Sequence, residues 1–256
     1  KKRNLVKIIK KIAQTKYDVV ICLQRFLSTG LITALSKAPV KIGFTQNPMS
    51  RWFTHKTKYS VSNGMHEVER NLQLIQPISD IVIKRPKIYL SQVHYKKVKK
   101  YQDQAYLCIA PSSVWFTKML PKENWVAFLN KNLEIKIYLI GSEQDRGLND
   151  WIISRSNNRS AESLAGHLTL LESAALMGSA KMNYVNDSAP MHLASAINAP
   201  TTAIFCSTIP DFGFGPLSDN QKIIQIDKKL ACRPCGLHGK MACPKGHFDC
   251  SKLFLG

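Results

Sequence analysis

No stretch of the chain reaches the ~18 consecutive apolar residues that a membrane-crossing helix needs. The opening segment, Lys1 to Lys16, is basic and amphipathic and lacks the apolar centre of a cleavable export signal. Nothing in the sequence therefore reads as a device for insertion or export. Acidic residues are also scarce: 17 Asp and Glu stand against 36 Lys and Arg, a net charge of +19. Such a surface draws phosphates, but the attraction is long-range and carries no chemical identity. Nucleic acid, anionic lipid and a phosphorylated glycolipid satisfy it equally. Internal repeats and low-complexity tracts are absent, and 45% apolar residues in a chain of 256 suffice for one large globular domain or two smaller ones.

Hydrophobic periodicity organises what is present. Lys1 to Lys16 sets Leu5, Ile8, Ile9 and Ile12 on one helical face with lysines opposite. Tyr17 to Leu23 is a short apolar run that predicts a buried strand, followed by a helix from Ser28 and an extended piece from Val40 to Phe44. Thr45 to Lys58, polar, aromatic and interrupted by proline, reads as a long loop, and Met65 to Ile75 returns to helical spacing. Pro77 and Pro86 break the pattern, which places a domain boundary between residues 1–86 and 87–256. Strands are then predicted at Tyr106–Ala110, Ile135–Ile140, Met182–Val185, Thr201–Phe205 and Ile223–Ile226. Helices at Lys122–Lys131, Arg146–Ser156, Leu170–Ser179 and Pro190–Asn198 separate them. That alternation predicts an α/β fold with a parallel sheet, covered on both faces, whose ligands bind at the carboxyl ends of the strands.

Two strand-to-helix loops carry the chemistry. Tyr184-Val185-Asn186-Asp187-Ser188-Ala189-Pro190-Met191-His192-Leu193 reads as a strand end, a turn of small residues and a helix opened by Pro190. Such a helix start offers N–H groups and partial positive charge to a diphosphate. Asp187 can accept from sugar hydroxyls and His192 can donate to a phosphate oxygen, although an ordinary capped helix meets the same pattern. The second loop, Ile109 to Pro121, offers Ser112, Ser113 and Thr117 to phosphate oxygens and Lys118 as a mobile positive charge.

Together these segments resemble the family 9 glycosyltransferases, the ADP-heptose:lipopolysaccharide heptosyltransferases in particular. Asn186 to Ala194 is the most specific match, with Ala189 where the family often has Gly. Ala110 to Pro121, Lys122-Glu123-Asn124-Trp125, and Leu164-Ala165-Gly166 leading to Leu170-Leu171-Glu172 support it. So do Tyr17-Asp18-Val19-Val20, Leu23-Gln24-Arg25, Ile42-Gly43-Phe44, and His66 with Arg70-Asn71-Leu72. The resemblance implies a GT-B fold of two Rossmann-like, doubly wound parallel-sheet domains, the N-terminal one incomplete. The C-terminal domain would hold the ADP-sugar and the N-terminal one the acceptor. Carried over by position, Ser113, Lys118, Asp187, Ser188, Ala189 and His192 would line the donor site, with Glu143, or the neighbouring Asp145, at the adenosine ribose. Family members usually begin with a glycine-containing loop and an aspartate that acts as general base, and end in a helix beyond the last cysteine. Nothing before Tyr17 or up to Gly256 matches these, so the expectation is a chain short at both ends with its base unassigned.

The activity implied is inverting transfer of heptose from ADP-heptose to the inner core of lipopolysaccharide, with no cofactor required and Lys118 stabilising the leaving ADP. The partners implied are the ADP-heptose donor, a lipid A-linked core oligosaccharide and an anionic membrane surface, for a cytoplasmic protein peripheral to the inner membrane. An ADP-sugar-binding chain that does not transfer is the alternative. A basic nucleic-acid-binding protein is a weaker one, because the cysteine spacing fits no common finger pattern and no strand has the aromatics that stack bases. Cys22, Cys108 and Cys206 sit in apolar runs and read as core. Cys232, Cys235, Cys243 and Cys250 cluster near the end, where a structural zinc site, unligated thiols and a redox-dependent bridge all fit.

Overall fold

Strand residues that face alternate sides of a sheet need two apolar layers to cover them, and the larger part of this chain supplies both. In the computed structural model, which describes residues 2–61 and 64–253, the chain divides into two compact units, Lys1–Lys84 and Arg85–Gly256.

The first unit contains α1 (Lys2–Gln14), β1 (Val19–Cys22), α2 (Leu27–Ala34), β2 (Val40–Phe44), β3 (His55–Thr57) and α3 (Glu67–Leu72). Its strands form a parallel sheet in the order β1-β2-β3. Ile42, Phe44 and Leu74 are its buried centre, with the Tyr59 ring set edge-on to Phe44 at 5.0 Å. The segment read as a loop from Thr45 to Lys58 holds both a short turn, Ser50–Trp52, and β3. His-Lys-Thr has no apolar alternation; pairing with β2 makes it a strand. On α1, Leu5, Ile9 and Ile12 are partly buried, but Ile8 is 47% exposed and lies off the packed face.

The second unit contains α4 (Gln92–Val98), β4 (Tyr106–Ala110), α5 (Lys122–Lys131), β5 (Lys136–Leu139), α6 (Arg146–Ser154) and β6 (Ala161–Ser163). It continues with α7 (Leu170–Gly178), β7 (Met182–Asn186), α8 (Ala189–Ala196), β8 (Thr201–Phe205) and β9 (Gln221–Gln225). Among the described residues these strands make one parallel sheet, ordered β6-β5-β4-β7-β8-β9. Each face has its own core. Tyr106, Cys108, Ala110 and Phe205 pack with Leu176 and Met177 of α7 and Met191 of α8. Leu107, Ile109, Ile137 and Leu139 pack with Trp125, Phe128 and Leu129 of α5 and Ile152 of α6. The strict alternation along β4 is why all five of its residues are buried. Among the described residues, no helix is long and apolar enough to cross a membrane.

Candidate active site

The strand order turns at β4. From it the chain moves outward through β5 to β6, then returns to β7 on the other side and continues through β8 to β9. Loops leaving the two strands at such a switch point diverge, and a crevice opens at their carboxyl ends. Here the crevice is a cleft of 520 Å³ lined by Ser112, Ser113, Ser188 and Ala189 and by the apolar Ile140 and Leu193.

Asn186, the fully buried last residue of β7, holds the β4 loop in place. Its Nδ2 donates to the Pro111 carbonyl at 2.8 Å, and its Oδ1 accepts from the Leu120 N–H at 3.0 Å. Both ends of the loop carrying Ser113 and Lys118 are thereby fixed to β7. The next turn delivers α8, which begins at Ala189, with Ser188 as the residue before it and Pro190 second. The sequence had placed Pro190 first. Ser188 does not cap the helix; its hydroxyl donates back to the Asn186 carbonyl at 3.3 Å. Ser188 thus leaves the start of α8 uncapped by its own side chain, and the N–H polarity of a helix start suits an anion.

Lys118 and Asp187 were each expected to contact ligand, but the structure pairs them. Lys118 Nζ lies 2.6 Å from Asp187 Oδ2, with the side chains 15% and 6% exposed. Thr208, just past β8, donates its hydroxyl to the same oxygen at 2.6 Å. Lys118 is therefore an anchored cation, not a mobile one. Thr117 is also spoken for: its buried hydroxyl accepts from Ser207 Oγ at 3.0 Å and from the Lys240 N–H at 2.8 Å. His192 lies on the exposed side of the first turn of α8 and is not among the residues lining the cleft. Glu143, 63% exposed, pairs with Arg146 at 2.8 Å. Asp145 is the carboxylate that lines the cleft, and its Oδ2 accepts from the Ser142 N–H and hydroxyl at 2.7 and 2.8 Å. Sequence reasoning missed Thr208 and the role of Asn186, and neither has a local signature that would have shown it.

Cys22, Cys108 and Cys206 are buried, and burial pushes the Cys108 and Cys206 thiols well up. The four later cysteines, the zinc candidates from sequence, stand near one another at the end of the described chain, with Cys232 Sγ 3.8 Å from His247 Nε2. All are free thiols, Cys250 is buried in the core beside α5, and among the described residues no three metal-binding side chains converge. The thiols differ in acidity: burial pushes Cys250 up to about 11. Burial also acts upward on Cys243, but N–H groups of Lys245, Phe248 and Gly246 outweigh it and hold its pKa below the usual thiol value. A lowered pKa means more thiolate at a given pH. Iodoacetamide near pH 7.5 should therefore modify Cys243 several-fold before Cys250, whose rate should climb about tenfold per pH unit up to pH 9. Peptide mapping of a time course checks the order; Cys250 reacting first would refute it.

Solved structures share this fold. The E. coli ADP-heptose lipopolysaccharide heptosyltransferase II superposes with a TM-score of 0.72 at 18% identity, covering 91% of this chain and 76% of that one. A family 9 glycosyltransferase from Veillonella parvula gives 0.75 at 19%, covering 86% and 66%. The shared fold is that of the GT-B glycosyltransferases. The chain belongs to glycosyltransferase family 9, the heptosyltransferase family, whose profile matches residues 5–242. It is thus a transferase. It is 25% identical over 229 residues to an Escherichia coli lipopolysaccharide heptosyltransferase 3, covering 85% of this chain and 67% of that protein. Against the K12 strain's heptosyltransferase 3 the chain spans 63% of the relative's length.

Proposed function

We propose that the second unit binds ADP-heptose and that the protein transfers the heptose, with inversion and without a metal, to the inner core of lipopolysaccharide. The observation that carries this reading is the meeting, at the switch point, of the uncapped start of α8 with a loop whose cation is anchored on Asp187. In this reading the nucleoside lies in the cleft lined by Ile140 and Leu193, with Asp145 rather than Glu143 near the ribose. The diphosphate faces Ser113, Ser188, Ala189 and the α8 amides. As the sugar–phosphate bond breaks, negative charge grows on the departing ADP. A preorganised helix start and a fixed ammonium stabilise that charge without reorganising. Asp187 holds the ammonium in place, and His192 reaches the diphosphate only by turning from its exposed position. A solved structure of the E. coli heptosyltransferase WaaC is with ADP, which supports adenine as the base.

The first unit is the acceptor side in this proposal, and the acceptor is a lipid A-linked core oligosaccharide. The net charge of +19 suits a phosphorylated acceptor and an anionic membrane surface, consistent with a cytoplasmic protein peripheral to the inner membrane. Calorimetric titration with ADP, UDP and GDP tests the donor assignment. ADP should bind at least about tenfold more tightly than the other two, a difference of about 1.4 kcal/mol. A folded chain that binds none of them, or all alike, overturns the proposal.

A further inference from the structure

The turn that carries Lys118 is not held by its own loop alone. Thr117 donates its N–H to the Lys240 carbonyl at 3.0 Å and accepts at its hydroxyl from the Lys240 N–H at 2.8 Å. The residues after β8 join the same structure. Ser207 donates its N–H to the Thr117 carbonyl, and its own carbonyl accepts from the Cys235 N–H at 3.0 Å. Arg233 closes the set. Its Nε donates to the Cys206 carbonyl and its Nη2 to the Thr208 carbonyl, both at 2.7 Å, with a further bond to Gln225 Oε1 at 2.8 Å. A planar guanidinium can serve several fixed carbonyls at once; an ammonium cannot reproduce the fork. Thr208 is the residue whose hydroxyl holds Asp187, so Arg233 fixes the partner of the Lys118 pair while Lys240 fixes the turn.

Gly239 shows how close the approach is. A Cβ there would stand 2.4 Å from Trp115 Cβ and 2.9 Å from Lys118 Cγ. The backbone at Gly239 is not left-handed, so the glycine is required by space and not by conformation.

We propose that the chain from Arg233 to Lys240 is a strap that positions Lys118 against Asp187, with Arg233 and Gly239 as positioning residues of the donor site. The strap's effect on nucleotide rests on the reading of Lys118 as the cation that faces the diphosphate. Its effect on Lys118 itself does not. Two measurements on the full chain separate them. The first is the rate at which an N-hydroxysuccinimide acetate acylates Lys118, normalised to exposed lysines and read by peptide mass spectrometry. Gly239→Ala and Arg233→Gln should each speed it by about fivefold or more, the scale of coupling between residues in contact, and Arg233→Lys should fall between. The second is ADP affinity. Gly239→Ala should weaken it about fivefold in the native background and leave it unchanged in Lys118→Ala.

Thermal unfolding confirms that the variants fold, and Gly239→Ala adds only a methyl should Arg233→Gln fail to. Unchanged acylation, or an affinity loss equal with and without Lys118, overturns the strap. Faster acylation in a chain that binds no ADP retains the strap and removes the donor assignment instead.

Discussion

Lys118→Ala should weaken ADP binding by about 30-fold or more while leaving adenosine binding within about twofold, because truncating one member of a desolvated charge pair costs about 2 kcal/mol or more. The asymmetry between the two ligands carries the argument. Lys118 is not among the residues lining the cleft that takes the nucleoside in our reading, so the nucleoside should not register its loss. The diphosphate should register it twice. It loses a cation, and it meets an Asp187 carboxylate that has lost its ammonium partner and keeps the Thr208 hydroxyl. The double variant Lys118→Ala/Asp187→Ala separates these terms. If Lys118 served only to neutralise Asp187, removing both would restore ADP affinity. If the ammonium acts on the diphosphate, most of the loss should persist. Calorimetry on the two single variants and the double reads the difference, and full recovery in the double would disprove the role assigned to Lys118.

Val40–Phe44, Tyr106–Ala110 and Thr201–Phe205 were readable to the residue, Tyr106–Ala110 most plainly, because a strand covered on both faces becomes a continuous apolar run. Ala161–Ser163 and His55–Thr57 were not, since edge strands this short and polar acquire their conformation from the neighbour they pair with. The helix Gln92–Val98 was also passed over. In the cleft, Ser113, Ser188 and Ala189 announce themselves as small residues between a strand and a helix. The choice between Glu143 and Asp145 turns on the register of a single three-residue turn, Glu143–Asp145, which periodicity does not resolve. What the sequence could not show is partnership at a distance. Thr208 lies 21 positions from Asp187, and the Cys206 carbonyl 27 from Arg233; such contacts leave no local pattern. The sequence therefore offered Lys118 and Thr117 as groups for ligand when the fold had already engaged them. Lys118 keeps its place in the proposed chemistry because an anchored charge needs no reorganisation. Thr117 does not, because both partners of its hydroxyl are protein groups.

Asn186→Ala should cost about 3 kcal/mol of stability, for it strands the Leu120 N–H and the Pro111 carbonyl, and each buried group left without a partner costs about 1–3 kcal/mol. For a unit of this size that corresponds to a fall in Tm of roughly 6–12 °C. Amide hydrogen exchange should locate the damage, with the Leu120 N–H losing protection ahead of the β4 amides. Asn186→Asp preserves the acceptor for Leu120 while removing the donor to Pro111, so it should retain Leu120 protection and still lose stability. A stability change under about 1 kcal/mol in Asn186→Ala would show that the loop is held by its flanking contacts and not by this carboxamide. The comparison with Lys118→Ala is informative because the two side chains act in opposite directions. Asn186 turns its hydrogen bonds inward and fixes where the loop runs; Lys118 contributes the charge the loop presents. Asn186→Ala should therefore loosen the grip of the β4 loop on adenosine and ADP alike, whereas Lys118→Ala discriminates between them.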